Sequence, residues 1–263
     1  MLKCFLFKEG KLKMIGIYDI DKVCDINYKE RLEIYKQVGF NEVALYLDKN
    51  YLNEDESYID IISYARDIGL QVKQVHIDYK ISNLICDETT SIYFDYLEEK
   101  IKEAIKLNIP YIVAHASMSA EPPILNDKQL NKLKNLLNKY KDKNIYVCFE
   151  NVRNNTNLNK ILTSELNNVG FCFDLGHAHC YSNSLELFEK YFDKIKCSHL
   201  HNNFGKDTHN LLTNGDIDYK YYLQKLKTIN DASNCLECFP EYGVKLNKKE
   251  FITFIKNCYE SVN

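Results

Sequence analysis

Six apolar segments of this 263-residue sequence each end in a side chain that could bind a metal ion or carry a proton. In chain order these side chains are His76, His115, Glu150, Asp174, His199 and Glu237. Imidazoles and carboxylates that face one another in a half-buried pocket are costly to bury unless a cation lies between them. They are also the ligands that divalent ions such as Zn²⁺ take in proteins. The pattern predicts a divalent metal site, provided that the six segments end together in the fold.

Two further stretches add candidate ligands. His177 follows Asp174 by three residues, and the segment after His199 carries Asp207 and His209, two residues apart. All seven histidines of the chain lie in or beside these stretches, so we expect none of them on a helix. We expect His179 and His201 to lie behind the ligands or at the surface rather than to bind the ion.

Four cysteines repeat the spacing of the candidate ligands. Cys148, Cys172, Cys197 and Cys235 each lie two residues before one of them. Because side chains alternate between the two faces of a strand, residues two apart point the same way. We therefore expect these cysteines inside the fold, beneath the metal site. Two interpretations stay open: the cysteines are small apolar fillers, or they make the site sensitive to oxidation or to soft metal ions.

The elements that must position these residues follow a regular rhythm of β-branched runs and amphipathic stretches. The predicted strands span residues 14–19, 42–48, 72–78, 111–116, 145–151, 170–175, 195–201 and 234–239. The predicted helices span residues 28–38, 58–68, 92–107, 128–140, 158–166, 185–192, 219–229 and 248–260. Eight such units without a Pro- or Gly-rich linker predict an α/β fold. We expect a single (β/α)8 TIM-barrel domain over residues 1–263, with residues 1–12 as an N-terminal extension.

The boundaries between the units support this fold. Gly39, Gly69 and Asn108 each end a predicted helix just before the next strand, as Gly and Asn do at helix C-termini. In a parallel barrel the carboxyl ends of all strands form one mouth, where active sites lie. The six terminal side chains are therefore expected to converge there.

Composition limits the class of protein. The chain is 45% hydrophobic and 27% charged, which is typical of a globular protein rather than a disordered one. The first eight residues hold too short an apolar stretch for a signal peptide, and no run is long enough to cross a membrane. We expect a cytoplasmic protein whose ten cysteines are reduced, and self-association into a homo-oligomer stays open.

At its motifs the sequence resembles the xylose isomerase-like TIM-barrel superfamily. That superfamily includes sugar and sugar-phosphate isomerases and epimerases, inosose dehydratase and endonuclease IV. The resemblance covers essentially the whole predicted barrel. Its most specific stretches are residues 148–151 (CFEN), 173–177 (FDLGH), 199–209 (HLHNNFGKDTH) and 215–218 (GDID).

The resemblance implies two types of metal site. In the epimerase branch one divalent ion binds the residues that match Glu150, Asp174, His199 and Glu237, and the match to His177 contacts the substrate. In the endonuclease IV branch three zinc ions bind nine ligands. Their matches are His76, His115, Glu150, Asp174, His177, His199, Asp207, His209 and Glu237. Tyr79 and Asn151 also resemble that branch. We therefore expect one to three ions, of Zn²⁺ or Mn²⁺.

The two types of site lead to different functions. In the first interpretation the protein is a sugar or sugar-phosphate isomerase or epimerase, in which Glu150 and Glu237 exchange a proton beside a polarised carbonyl. In the second it is an endonuclease IV-like zinc phosphoesterase, in which clustered ions generate hydroxide and stabilise the leaving oxygen. A third interpretation is a non-catalytic barrel that binds a sugar or a metal ion. The remaining site assignments are His177 as a catalytic residue and Tyr79, Asn151 and His201 as substrate contacts.

The expected partner is a small carbohydrate or a phosphorylated carbohydrate. Endonuclease IV grips DNA with basic and aromatic loops, whereas this chain carries a net charge of -3. It offers only Arg31, Arg66 and Arg153 for bidentate phosphate contacts. The charge therefore argues against nucleic acid as the substrate.

Overall fold

Eight short parallel strands form a closed barrel in chain order within the residues that the structure describes. They are β1 (Gly16–Tyr18), β2 (Val43–Tyr46), β3 (Gln74–His76), β4 (Tyr111–His115), β5 (Tyr146–Glu150), β6 (Val169–Asp174), β7 (Ile195–Leu200) and β8 (Ser233–Leu236). The pairing of β1 with β8 closes the ring. Each predicted strand overlaps an observed one, which confirms the (β/α)8 TIM-barrel fold as a single domain.

The computed structural model describes residues 15–20, 23–48, 57–181, 184–241 and 243–262. The predicted N-terminal extension, residues 1–12, lies outside this part of the chain and stays a prediction. No described helix has the length and the apolarity that are needed to span a bilayer.

The helices surround the barrel. They are α1 (Tyr28–Val38), α2 (Tyr58–Asp67), α3 (Ile92–Lys106), α4 (Asp127–Asn138), α5 (Thr156–Thr163), α6 (Leu175–Cys180), α7 (Glu186–Lys190), α8 (Tyr219–Leu226) and α9 (Lys248–Glu260). The 3₁₀ helices Tyr79–Cys86 and Phe192–Lys194 lie in loops of the described part of the chain. The expected C-terminal joints are confirmed, because Gly39, Gly69 and Asn108 have φ values of 124°, 80° and 52°.

Helix α6 corrects one expectation from the sequence. Histidines were expected outside helices, but His177 and His179 lie on α6. This helix begins directly at the end of β6, because the Asp174 side chain caps it by accepting a hydrogen bond from the His177 backbone N–H at 2.6 Å. Six residues are too few for an amphipathic pattern, so the hydrophobic period could not reveal the helix.

The predicted strand ends at the mouth also need correction. The predicted strand 234–239 overruns β8, which ends at Leu236. The next backbone N–H, that of Glu237, still donates to Leu200 O at 3.1 Å, whereas the N–H of Phe239 donates to His209 O at 2.9 Å. Beyond Glu237 the chain therefore pairs with the loop after β7 instead of continuing the barrel wall, and Glu237 lies at the mouth.

The barrel interior contains the cysteines that the alternation of strand side chains placed there. Cys148, Cys172 and Cys197 are fully buried and cluster with Tyr111 and Val113, apart from the main core between barrel and helices. Burial raises the pKa of all three thiols, so they stay neutral. The predicted orientation is confirmed, and the neutral thiols favour the interpretation of cysteine as an apolar filler.

Cys235 lies in a second interior cluster, with Tyr18 and Ala44. It packs against Gly16, where an added Cβ would lie 2.6 Å from the Cys235 sulfur. Burial raises the pKa of the Cys235 thiol as well. This close approach of β1 to β8 requires a glycine at position 16.

A buried carboxyl stands at the amino-terminal end of the barrel. Glu42 directly precedes β2 and is 1% exposed. Its carboxyl accepts a hydrogen bond from the Ser233 hydroxyl and lies 3.9 Å from the Lys73 ammonium nitrogen. Burial raises the pKa of Glu42 to about 7 in spite of these contacts. The ionised form of Glu42 therefore destabilises the folded chain.

Replacing Glu42 with Gln is expected to stabilise the protein only at higher pH. Between about pH 4.5, the ordinary pKa of a glutamate, and about pH 7, Glu42 is protonated in the folded protein but ionised in the unfolded chain. The free energy of unfolding therefore falls as pH rises through that window. Gln cannot ionise, and the variant should gain up to about 3 kcal/mol over the wild type at high pH.

Urea denaturation of both proteins at about pH 5 and about pH 8 measures this difference. Other titrating groups cancel in the comparison, because both proteins contain them. An equal difference at the two pH values would contradict the assignment.

Candidate metal centre

The mouth of the barrel brings all nine predicted ligands together. Four of them end neighbouring strands, and the register places His115 beside Glu150 and Asp174 beside His199. Together with His201 and Cys172, their donor atoms form five overlapping groups that could each hold a metal ion, and three of these groups share no residue with one another. The Glu150 group is His76, His115 and Glu150; the Asp174 group is Asp174, His199 and Glu237; the Asp207 group is His177, His201, Asp207 and His209.

The Glu150 group joins two imidazoles to one carboxylate oxygen. Nε2 of His76 lies 3.3 Å and Nε2 of His115 lies 3.2 Å from Glu150 Oε2. Nδ1 of His76 contacts the Ile77 carbonyl oxygen at 2.6 Å, and donation there leaves the Nε2 lone pair facing the group. Burial lowers the pKa of His115, which favours its neutral, ligating form.

Glu150 also contacts the other groups. Its Oε2 lies 3.4 Å from His199 Nδ1, and its Oε1 lies 2.9 Å from His177 Nδ1. Burial alone would raise the pKa of Glu150, but the surrounding imidazoles, His199 foremost, hold that pKa well below its ordinary range. An ionised carboxylate with both oxygens engaged can bridge two cations.

The Asp174 group is the most deeply buried. His199 Nδ1 lies 3.0 Å from Glu237 Oε2 and 3.9 Å from Asp174 Oδ2. None of these three atoms has a hydrogen-bond partner among the described residues, although all are shielded from solvent. Buried polar atoms normally have a partner. Their convergence without hydrogen bonds fits a divalent cation as the shared partner.

The Asp207 group lies nearer to solvent. Asp207 places one oxygen 3.5 Å from His177 Nε2 and the other 3.2 Å from His209 Nε2, and its side chain is 30% exposed. Burial would lower the pKa of His177, but Asp174 and the neighbouring carboxylates raise it well above its ordinary value. A bound cation would take over the positive charge that the imidazolium otherwise supplies.

Two predicted substrate contacts lie behind the site rather than at its surface. Asn151 is fully buried, and its side chain pairs at 2.8 Å with both the backbone N–H and the carbonyl of Asp174. His201 is also fully buried, and its ring stacks on His209 with centroids 3.8 Å apart. It packs on Gly176, where an added Cβ would lie 1.9 Å from the His201 ring. Asn151 thus supports a ligand candidate, whereas His201 both belongs to the Asp207 group and stacks on another of its members.

A cavity of about 280 Å³ opens over the three groups. Tyr79, a predicted substrate contact, lines it, and so do Tyr46 and Phe239, which the sequence interpretation missed. Gln74 was missed too, although it lies two residues before His76 on β3 and therefore on the same face of the strand. That alternation was the one sequence signal that could have indicated Gln74.

Solved structures with the same fold include several sugar enzymes. The IolI protein with a bound zinc atom superposes with a TM-score of 0.73 at 19% identity, covering 95% of this chain and 98% of that one. D-psicose 3-epimerase from Clostridium cellulolyticum H10, solved with D-tagatose, gives a TM-score of 0.71 at 13% identity, covering 94% and 97%. L-ribulose 3-epimerase gives 0.70 at 14% identity, covering 94% and 92%. These identities show a common fold.

Sequence comparison identifies the family more directly. No curated protein matches the chain. The model of the xylose isomerase-like TIM barrel matches residues 32–258, which is most of the chain and contains every ligand candidate. The protein therefore belongs to the xylose isomerase-like TIM-barrel family.

Proposed function

We propose that the protein is a divalent-metal-dependent isomerase or epimerase of a small sugar or sugar phosphate. The observation that carries the proposal is a pair of carboxylates on the cavity wall. Glu150 and Glu237 both line the cavity and approach His199 Nδ1 at 3.4 and 3.0 Å. One carboxylate can thus remove a proton from a sugar carbon that lies between them, and the other can return a proton to that carbon.

The chemistry needs a base to remove a proton from the carbon next to a carbonyl and an acid to return it. Glu150 and Glu237 take these roles. A divalent ion in the Asp174 group, when bound, polarises the carbonyl and offsets the negative charge that develops on the substrate oxygens. His177 lines the same cavity and can donate a hydrogen bond to a substrate hydroxyl.

The cavity supports a small substrate. Its volume of about 280 Å³ is at the lower end of the range for small-molecule sites. Tyr46, Tyr79 and Phe239 add apolar faces to an otherwise charged wall, which suits the C–H surface of a sugar. Structures with the same fold include an L-ribulose 3-epimerase and a D-psicose 3-epimerase, whose named sugars are of that size.

Hydrogen exchange tests the proposal. The metal-loaded protein, incubated in D₂O with a panel of ketoses and ketose phosphates, should introduce deuterium at a carbon next to the carbonyl of one of them. Glu237→Gln should lower that rate by about 100-fold or more, because the acid–base group is lost. NMR of the recovered sugar measures the exchange.

Tyr221→Phe serves as the control variant, because Tyr221 is an exposed residue that pairs with Glu189 away from the cavity. It should exchange hydrogen at the wild-type rate. Absence of exchange and of isomerisation across the whole panel would overturn the proposal.

Hydrolysis of a small phosphate ester is a second candidate. It is favoured by the Glu150 and Asp207 groups, which supply two further sets of ligand atoms beyond the Asp174 group.

Nucleic acid fits this site less well as a substrate. Arg31 is buried against Asp19, and Arg66 faces the Asn108 carbonyl at the far end of α2. Arg153 lies near the mouth, where its guanidinium contacts Tyr181, whose hydroxyl donates to Asp207.

Metal stoichiometry separates the two candidates. A protein that uses only the Asp174 group should retain about one ion per chain after dialysis, and Asp207→Asn should leave that content unchanged. A protein that uses all three groups should retain about three ions, and Asp207→Asn should lose one of them together with phosphoesterase activity. Elemental analysis of both proteins measures the content. Three ions with turnover of a phosphate ester would establish hydrolysis and exclude the isomerase.

A further inference from the structure

Two of the candidate ligand histidines, His76 and His209, have hydrogen-bond acceptors behind their rings. Nδ1 of His76 contacts the Ile77 carbonyl oxygen at 2.6 Å, and Nδ1 of His209 contacts the Glu237 carbonyl oxygen at 2.9 Å. Both acceptors are backbone atoms. The acceptor of a ligating histidine determines which ring nitrogen carries the proton and which one is free to bind a metal.

His199 is oriented differently. It turns Nδ1 toward Asp174 and Glu237, and its Nε2 faces the side chain of Gln74, with Oε1 at 3.1 Å. Here the acceptor behind the ring is a side chain, so a substitution can remove it. Gln74 is fully buried at the start of β3 and does not line the cavity.

The orientation of the Gln74 amide is set by its other end. Its nitrogen donates to the Ser233 carbonyl oxygen at 3.4 Å. A carbonyl oxygen can only accept a hydrogen bond, so the amide nitrogen faces β8 and the amide oxygen faces His199. A flipped amide would place its NH₂ against His199 and would leave Ser233 O without this donor.

We infer that Gln74 is a positioning residue that holds His199 as the Nε2–H tautomer and so presents the Nδ1 lone pair to the Asp174 group. This inference rests on the metal site common to both proposed functions. It does not depend on which substrate the site takes. Without the acceptor, the Nδ1–H tautomer becomes accessible and places a proton where the ion binds.

The test compares the wild type with variants of Gln74 by ¹⁵N NMR of histidine during a chelator-buffered Zn²⁺ titration. The His199 resonances report both the tautomer and the occupancy of its own site. Gln74→Met keeps the size of the side chain but removes the acceptor, and it should weaken Zn²⁺ binding at His199 by about 10- to 100-fold. Gln74→Glu restores an acceptor oxygen and should recover most of this loss.

Gln129→Met is the matched control. Gln129 is another fully buried glutamine, which donates to the Asp87 carbonyl oxygen and does not line the cavity. This variant should bind Zn²⁺ at His199 like the wild type. Thermal unfolding of all the proteins shows whether a loss of affinity follows a general loss of stability.

Three results would overturn the inference: unchanged Zn²⁺ affinity in Gln74→Met, no recovery in Gln74→Glu, or a wild-type His199 that is protonated at Nδ1 in the zinc-bound protein. The last measurement needs no variant to fold. The test does not measure sugar turnover, so its outcomes can be interpreted even if the protein is not an isomerase.

Discussion

One buried carboxylate organises the mouth of this barrel. Glu150 is 2% exposed, and four imidazoles approach its two oxygens at distances between 2.9 and 3.4 Å. A buried ionised carboxylate without partners costs several kcal/mol. The imidazoles come from β3, β4, α6 and β7, so the charge is compensated only when these elements hold their relative positions. The register of the barrel is therefore part of the site.

Strand ends and the alternation of side chains along a strand explain why many of the site residues could be predicted. His76, His115, Glu150 and Asp174 end their strands, and in a parallel barrel all such ends meet at one mouth. The same period of two correctly placed Cys148, Cys172 and Cys197 inside the barrel. Both inferences depend only on local strand geometry and on closure of the sheet. The eight regular strand–helix units in the sequence predicted that closure.

Other features depend on contacts that no periodicity encodes. Helix α6 begins where the Asp174 side chain caps it, although the sequence pattern indicates only that Asp174 ends a strand. Asn151 follows a strand end and looks available to a substrate, yet its amide is used up by the Asp174 backbone. Gln74 resembles an ordinary polar strand residue until β7 brings His199 beside it, 125 positions later in the chain. Such roles are set by tertiary neighbours.

Membership of the family leaves the reaction open, because a fold hosts many activities and the site decides among them. Here the Asp207 group makes the difference. Its members His177, Asp207 and His209 line the same cavity as Glu150 and Glu237, so their charge state changes the cavity surface. With imidazolium partners for Asp207, that wall offers hydrogen-bond donors, which suit sugar hydroxyls. With cations held there and in the Glu150 group, the wall would be strongly positive and would suit a phosphate. Under the two proposed functions, the number of ions that the mouth retains, rather than the barrel around it, separates the two substrate classes.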